Sequence, residues 1–203
     1  MKDSEMNTLA RHCDKYFGQT DATVIHPIVG GDFHVDVLLY KPSKRYPFWK
    51  LVTMGASDYR MPRIQNTFGR FNEYVMFVDS DVKLEDKGVL SYYYGKLLAI
   101  ASYSRLTNTH ITYGHSLEWE NDSHDGEMVG AFIDMPQIIL DAGVLRCKMG
   151  FFKTVVLLQT VLINQRELDA LLKIGPKAFS DYLYPENGQN QHYLSEQYRS
   201  EKF

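Results

Sequence analysis

Phe48-Trp49-Lys50-Leu51-Val52-Thr53-Met54 is a strand-length, mostly apolar run that passes without a spacer into the small-residue turn Gly55-Ala56-Ser57-Asp58. Entered from Tyr46-Pro47 and closed by a glycine, it reads as a buried strand. A buried strand needs a sheet and a packed core around it. The composition supplies one: 44% of residues are hydrophobic and 23% charged, with 14 Tyr and 11 Phe, which argues against extended disorder. A chain of 203 residues is expected to form one domain and to bury roughly 70% of the surface its unfolded form exposes.

Other segments place the remaining elements. Asp3 or Ser4 caps a helix whose apolar residues Met6, Leu9, Ala10, Cys13 and Phe17 recur at three- and four-residue spacing, and Gly18 stops it. Thr23 to Ile28 and Phe33 to Tyr40 alternate as strands about the Gly30-Gly31 turn and are predicted to form a hairpin. Asn72 to Val78 is another strand. Glu85 and Asp86 then favour a helix start, with Leu90, Tyr94, Leu97 and Ala101 on one apolar face and an end near Tyr103. Ile111 to Leu117, Glu127 to Ile133 and Phe151 to Ile163 read as strands. Asn164 followed by Glu167 has the form of a capping box for a helix carrying Leu168, Leu171 and Leu172, which Gly175-Pro176 ends. A short helix with Phe179 and Leu183 follows, so the domain is expected to span 1–184, with 185–203 as a polar tail. Strands dominate the middle without regular βαβ alternation. The pattern predicts an α+β domain with a mixed or largely antiparallel sheet packed against helices.

The net charge of -3 gives no electrostatic footprint for nucleic acid as a direct partner. Cys13 and Cys147 are too few for a disulfide framework and too far apart for a CxxC motif. The charged start lacks the apolar core of a signal peptide, and the run from Phe151 to Ile163 is shorter than a membrane span and carries Lys153 and Gln159. A cytoplasmic protein with no membrane partner is expected.

Several constellations invite a chemical reading. Gly30-Gly31 is too short for a phosphate-binding loop and is followed by Asp32, so a structural turn is expected. His34 and Asp36 share one strand face and could offer two metal ligands, completed by His26, His110 or His115; the alternative is a hydrogen-bonded pair at the edge of the core. Ser57, Asp58 and His115 can be drawn as a triad, but Met54 to Asp58 lacks the glycines of a G-x-S-x-G elbow, and Gly55 with Ser57 or Asp58 fits a tight turn. Cys147, beside Arg146 and Lys148, could have a lowered pKa. The segment from Glu118 to Glu127 holds five carboxylates, Glu118, Glu120, Asp122, Asp125 and Glu127, around Trp119. Its composition suits an interface with a cation-rich partner, with Trp119 as an apolar anchor; as a solvated loop it would only aid solubility. It lacks the ligand spacing of an EF-hand.

Val35-Asp36-Val37, the segment from Trp49-Lys50-Leu51-Val52-Thr53-Met54-Gly55 to Ser57-Asp58, and Asn72-Glu73-Tyr74-Val75-Met76 resemble the Suppressor of fused (SUFU) domain family. Thr107-Asn108-Thr109 with Tyr113-Gly114-His115-Ser116, and Ile163 to Leu168 with Gly175, look like later family segments, so that the resemblance runs from about 25 to 183. It departs at Ala56 and at Asp79-Ser80. The resemblance implies an α+β fold in which Asp36, Trp49, Thr53, Gly55, Ser57, Asp58, Glu73, Gly114 and His115 are structural signature residues. It implies no catalytic residues, cofactor or metal. The chain is similar to the single-domain bacterial form, which implies an immunity protein that neutralises a cognate toxin, such as a nuclease; the composition of the acidic loop makes it the expected interface. The competing readings are a regulatory module for an endogenous cytoplasmic protein and a hydrolase or metal enzyme using His34, Asp36 and His115.

Overall fold

The structure is a computed structural model that describes residues 1–26, 33–65, 69–119, 127–184 and 192–199. Its organising strand is β8 (Thr154–Asn164), whose residues from Val155 onward are all buried. Such a strand must be paired on both edges and covered on both faces. On one edge β8 runs parallel to β4 (Asn72–Asp79), from Asn72↔Val156 to Met76↔Thr160. Its other edge is shared: β7 (Arg146–Lys148) takes the first turn of the ladder and β6 (Met128–Asp134) the rest, both antiparallel.

The sheet continues outward through β3 (Phe48–Met54), β2 (Asp36–Tyr40) and β1 (Thr23–Ile25) on the β4 side, and through β5 (Ser116–Glu118) beside β6. All pairs except β4–β8 are antiparallel. The expected α+β class and mixed sheet are therefore present. The expected 23–28/33–40 hairpin is the β1–β2 pair, while Gly30-Gly31 lies outside the described residues.

Strand alternation divides the apolar side chains between two cores. Val75, Phe77, Leu157 and Val161 face α1 (Asp3–Phe17), α3 (Gln165–Ile174) and α4 (Pro176–Leu183), whose Leu9, Phe17, Leu168 and Phe179 close that side. Tyr74, Met76, Leu158 and Leu162 face the long helix α2 (Lys87–Thr107), through Tyr93, Leu97 and Ile100. Each fully buried side chain of this size contributes about 1.5–3 kcal/mol by leaving water. Helix α2 starts where Asp86 accepts the amides of Gly88 and Val89 and ends at Asn108 in the left-handed region, φ 52°. It runs past the expected stop at Tyr103, and its face is turned: Tyr93 and Ile100 are buried, whereas Leu90 and Tyr94 are half-buried.

Two strand expectations need correction. The run from Phe151 enters β8 only at Thr154, because the Met149 amide bonds to Lys153 O at 2.8 Å and closes a turn that leaves Phe151 and Phe152 fully exposed. Ile111 to Leu117 is strand only from Ser116; before it a turn forms at Gly114, where the φ of 87° favours glycine and a Cβ would stand 3.2 Å from that of Pro176.

Residues 192–199, within the stretch read from sequence as a polar tail, lie against the sheet. Beyond Met76↔Thr160 the β4–β8 ladder ends, and Ser195 stands beside Val78 in its place. Its amide donates to Phe77 O at 2.7 Å and its Oγ accepts from the Leu162 amide at 3.1 Å. Arg199 is buried against Glu167 and donates to Leu194 O at 2.8 Å.

Candidate functional site

The turn after β3 is built around Glu73, a fully buried carboxylate on β4. Oε1 accepts the amides of Gly55 and Ser57, each at 3.0 Å, and Oε2 accepts Thr53 Oγ1 at 2.6 Å and the Ala56 amide at 3.2 Å. Successive amides of a tight turn thus converge on one anion. Gly55 permits this, with φ 136° and no room for a side chain: a Cβ would stand 2.4 Å from His34 O. Burial raises the pKa of Glu73, and the bonds from Thr53, Ser57 and Gly55 oppose that rise. Of the signature residues, Thr53, Gly55, Ser57 and Glu73 therefore form one unit. Trp49 is buried on the α2 side and donates Nε1 to Val82 O at 3.0 Å.

Ser57 is fully buried in this turn. His115 lies at the same end of the sheet, before β5, but four strand spacings away, on the order of 20 Å. The triad drawn from Ser57, Asp58 and His115 does not assemble. Asp58 instead joins an ion cluster, with Lys153 Nζ 3.6 Å from its carboxylate and 3.1 Å from that of Glu5. Around His115 it is the backbone that works: its carbonyl accepts the Ile133 amide at 2.8 Å, and the Gly114 amide donates to Ile133 O at 2.9 Å.

His34 and Asp36 do converge, and His26 joins them. Asp36 Oδ1 lies 2.7 Å from His34 Nε2 and 2.9 Å from His26 Nδ1. His110 bonds elsewhere, through Nδ1 to Pro62 O at 3.0 Å. Both cysteines are free and buried. Strand alternation points Arg146 and Lys148 outward while Cys147 points in, so burial pushes its thiol up to about 11, and the suggested lowering is corrected.

The acidic loop is the β5–β6 connection, at the end of the sheet opposite the Glu73 turn. Glu118 is exposed, whereas Glu120, Asp122 and Asp125 lie outside the described residues. Trp119 is stapled down: Nε1 donates to Met128 O at 2.9 Å, and Lys96 Nζ sits 4.1 Å above the ring. It roofs the α2-side core, while Glu127 bridges to Tyr198.

Sequence reasoning missed a cationic cleft at the Glu73 end, with a volume of about 1000 Å³, lined by Arg60, Arg63, Arg70, Phe71 and Phe152 among others. These residues are scattered over the chain, and only the parallel β4–β8 pair brings 60–71 beside 152–154. No helix among the described residues is long and apolar enough to cross a membrane.

The family model of the Suppressor of fused protein (SUFU) matches residues 31–194, and the chain belongs to that family. Solved structures share its fold. The chain matches one in the Sufu–Fu complex with a TM-score of 0.67 and 13% identity, over 95% of this chain and 89% of the other. It matches Drosophila Suppressor of Fused with a TM-score of 0.66 and 14% identity, over 96% of this chain but only 49% of the other. A SUFU homolog from Neisseria gonorrhoeae FA 1090 gives a TM-score of 0.66 and 15% identity, over 97% and 95%. No curated protein matches the chain in sequence.

Proposed function

We propose that this member of the Suppressor of fused family is a non-catalytic protein-binding domain that captures a cation-rich protein through the acidic β5–β6 connection, and that the partner is a cognate toxin it neutralises. One observation carries the reading: Ser57 and Glu73 are buried in the turn at one end of the sheet, whereas Glu118 stands exposed at the other, at the head of a connection with five carboxylates. Buried Ser57 and Glu73 hold each other's turn and offer no open nucleophile or base. A connection of this charge attracts a basic surface at long range and speeds its capture. Trp119, beside Glu118 in the chain, is held rigid by Met128 and Lys96. A related fold bound in the Sufu–Fu complex supports protein binding as the mode.

The test is neutralisation. The purified chain is mixed with the toxin encoded beside its gene, and toxin activity is followed against molar ratio. Loss of activity at one-to-one stoichiometry supports the reading; full activity at excess chain overturns the toxin assignment. The second reading, an endogenous regulatory partner, is favoured by the arginine cleft, which would attract an acidic protein. Binding abolished by Arg60→Glu and Arg63→Glu but indifferent to the acidic connection would select it.

A further inference from the structure

The end of β1 and the start of β2 bring three metal-ligating groups to one point. Ile25 pairs with Val37 across the antiparallel ladder, so the next residue, His26, comes opposite Asp36. His34 precedes Asp36 by two residues, which in extended chain puts both side chains on one face. His26 Nδ1, His34 Nε2 and the Asp36 carboxylate oxygen all lie within 4.8 Å of one another, and among the described residues no other cluster of three such groups is found. The Asp36 side chain is only 2% exposed, whereas those of His26 and His34 are 65% and 54% exposed.

We propose that His26, His34 and Asp36 form a binding site for a divalent transition-metal ion of the zinc class, with the fourth coordination position open. Two imidazoles and one carboxylate suit zinc, cobalt or nickel better than calcium or magnesium, which prefer all-oxygen shells. Tetrahedral bonds of about 2.0–2.2 Å place neighbouring ligand atoms roughly 3.4 Å apart. The present His–Asp separations of 2.7 and 2.9 Å need to open by about 0.7 and 0.5 Å. Rotation of two exposed rings achieves this while the strand ladder holds Asp36 still. Among the described residues the two imidazoles hold Asp36 Oδ1, and a cation compensates a buried carboxylate more fully than neutral donors do. On binding, a neutral imidazole moves the proton facing Asp36 through solvent to its other ring nitrogen, and a protonated one releases a proton to water. The ion ties β1 to β2. Its open position takes water or a side chain of a docking protein.

The experiment loads the full chain with Zn²⁺ by dialysis, counts bound metal by mass spectrometry, and follows Co²⁺ through its visible d–d absorption. The wild type is expected to take up one equivalent at micromolar concentrations, with tetrahedral Co²⁺ absorption and a raised Tm. His26→Ala and His34→Ala alter exposed side chains and should fold, each weakening binding at least tenfold; the double variant should lose it. No uptake by the wild type, or full uptake by the double variant through other histidines, overturns the proposal.

Discussion

Thr53 Oγ1 donates to Glu73 Oε2 at 2.6 Å while accepting the Tyr74 amide at 2.8 Å. One hydroxyl thus replaces the next rung of the β3–β4 ladder, whose last paired residues are Val52 and Val75, and anchors the carboxylate that organises the following turn. Two segments that are distant in the chain are locked at this point.

Removing either partner should therefore cost more than an average core polar change. Thr53→Val keeps the shape but takes one of two donors from Glu73 Oε2 and orphans the Tyr74 amide, for an expected loss of about 2–3 kcal/mol. Glu73→Ala orphans the amides of Gly55, Ala56 and Ser57 as well and should cost roughly 3–5 kcal/mol. Urea denaturation of the two variants checks the order, and the double variant should lose less than the sum because both changes remove the same bond.

Lys50 sets a pH dependence. It is fully buried on β3 with Nζ 2.8 Å from Lys41 O, and burial lowers its pKa from 10.5 to about 8, against the pull of Asp21. Between those values the unfolded chain holds a proton the folded chain has released, so stability contributed at this site rises with pH through that window. The full span corresponds to about 3 kcal/mol. Measured against Lys50→Met, the wild type should gain on the variant from pH 8 to 10; a constant difference would contradict the assignment.

Arg199 and Glu167 are buried together at the top of β8, where Glu167 also accepts the Asn164 amide at 3.0 Å. Arg199→Ala leaves a buried carboxylate without its cation and should destabilise the domain by about 3–5 kcal/mol. Adding Glu167→Gln removes the stranded charge and should restore part of the loss. Thermal or chemical unfolding of the single and double variants reads both effects.

What the sequence disclosed was local. The Asn164–Glu167 capping box, the left-handed stop at Gly18 and the glycine-dependent turn at Gly55 each depend on residues within a few positions. The Phe48–Met54 run showed its burial because every one of its residues is enclosed, Lys50 included. What remained hidden depends on contacts between distant segments. Ser195 and Arg199 read as polar until Phe77, Leu162 and Glu167 are set beside them. Phe151 and Phe152 read as core by residue type, but a turn expels them. Trp119 looked like a free anchor, and only the fold places Lys96 over it. His26 could be drawn with His34 and Asp36, but the β1–β2 register was needed to choose it over His110 and His115.

The most direct test of the account is a calorimetric titration of the cognate toxin into the wild type and into Glu118→Lys, Glu120→Lys and Asp122→Lys, at low and at physiological salt. The account predicts that each reversal weakens binding, about tenfold or more at low salt, and that added salt narrows the gap. Equal affinities for wild type and all three variants at low salt would contradict it.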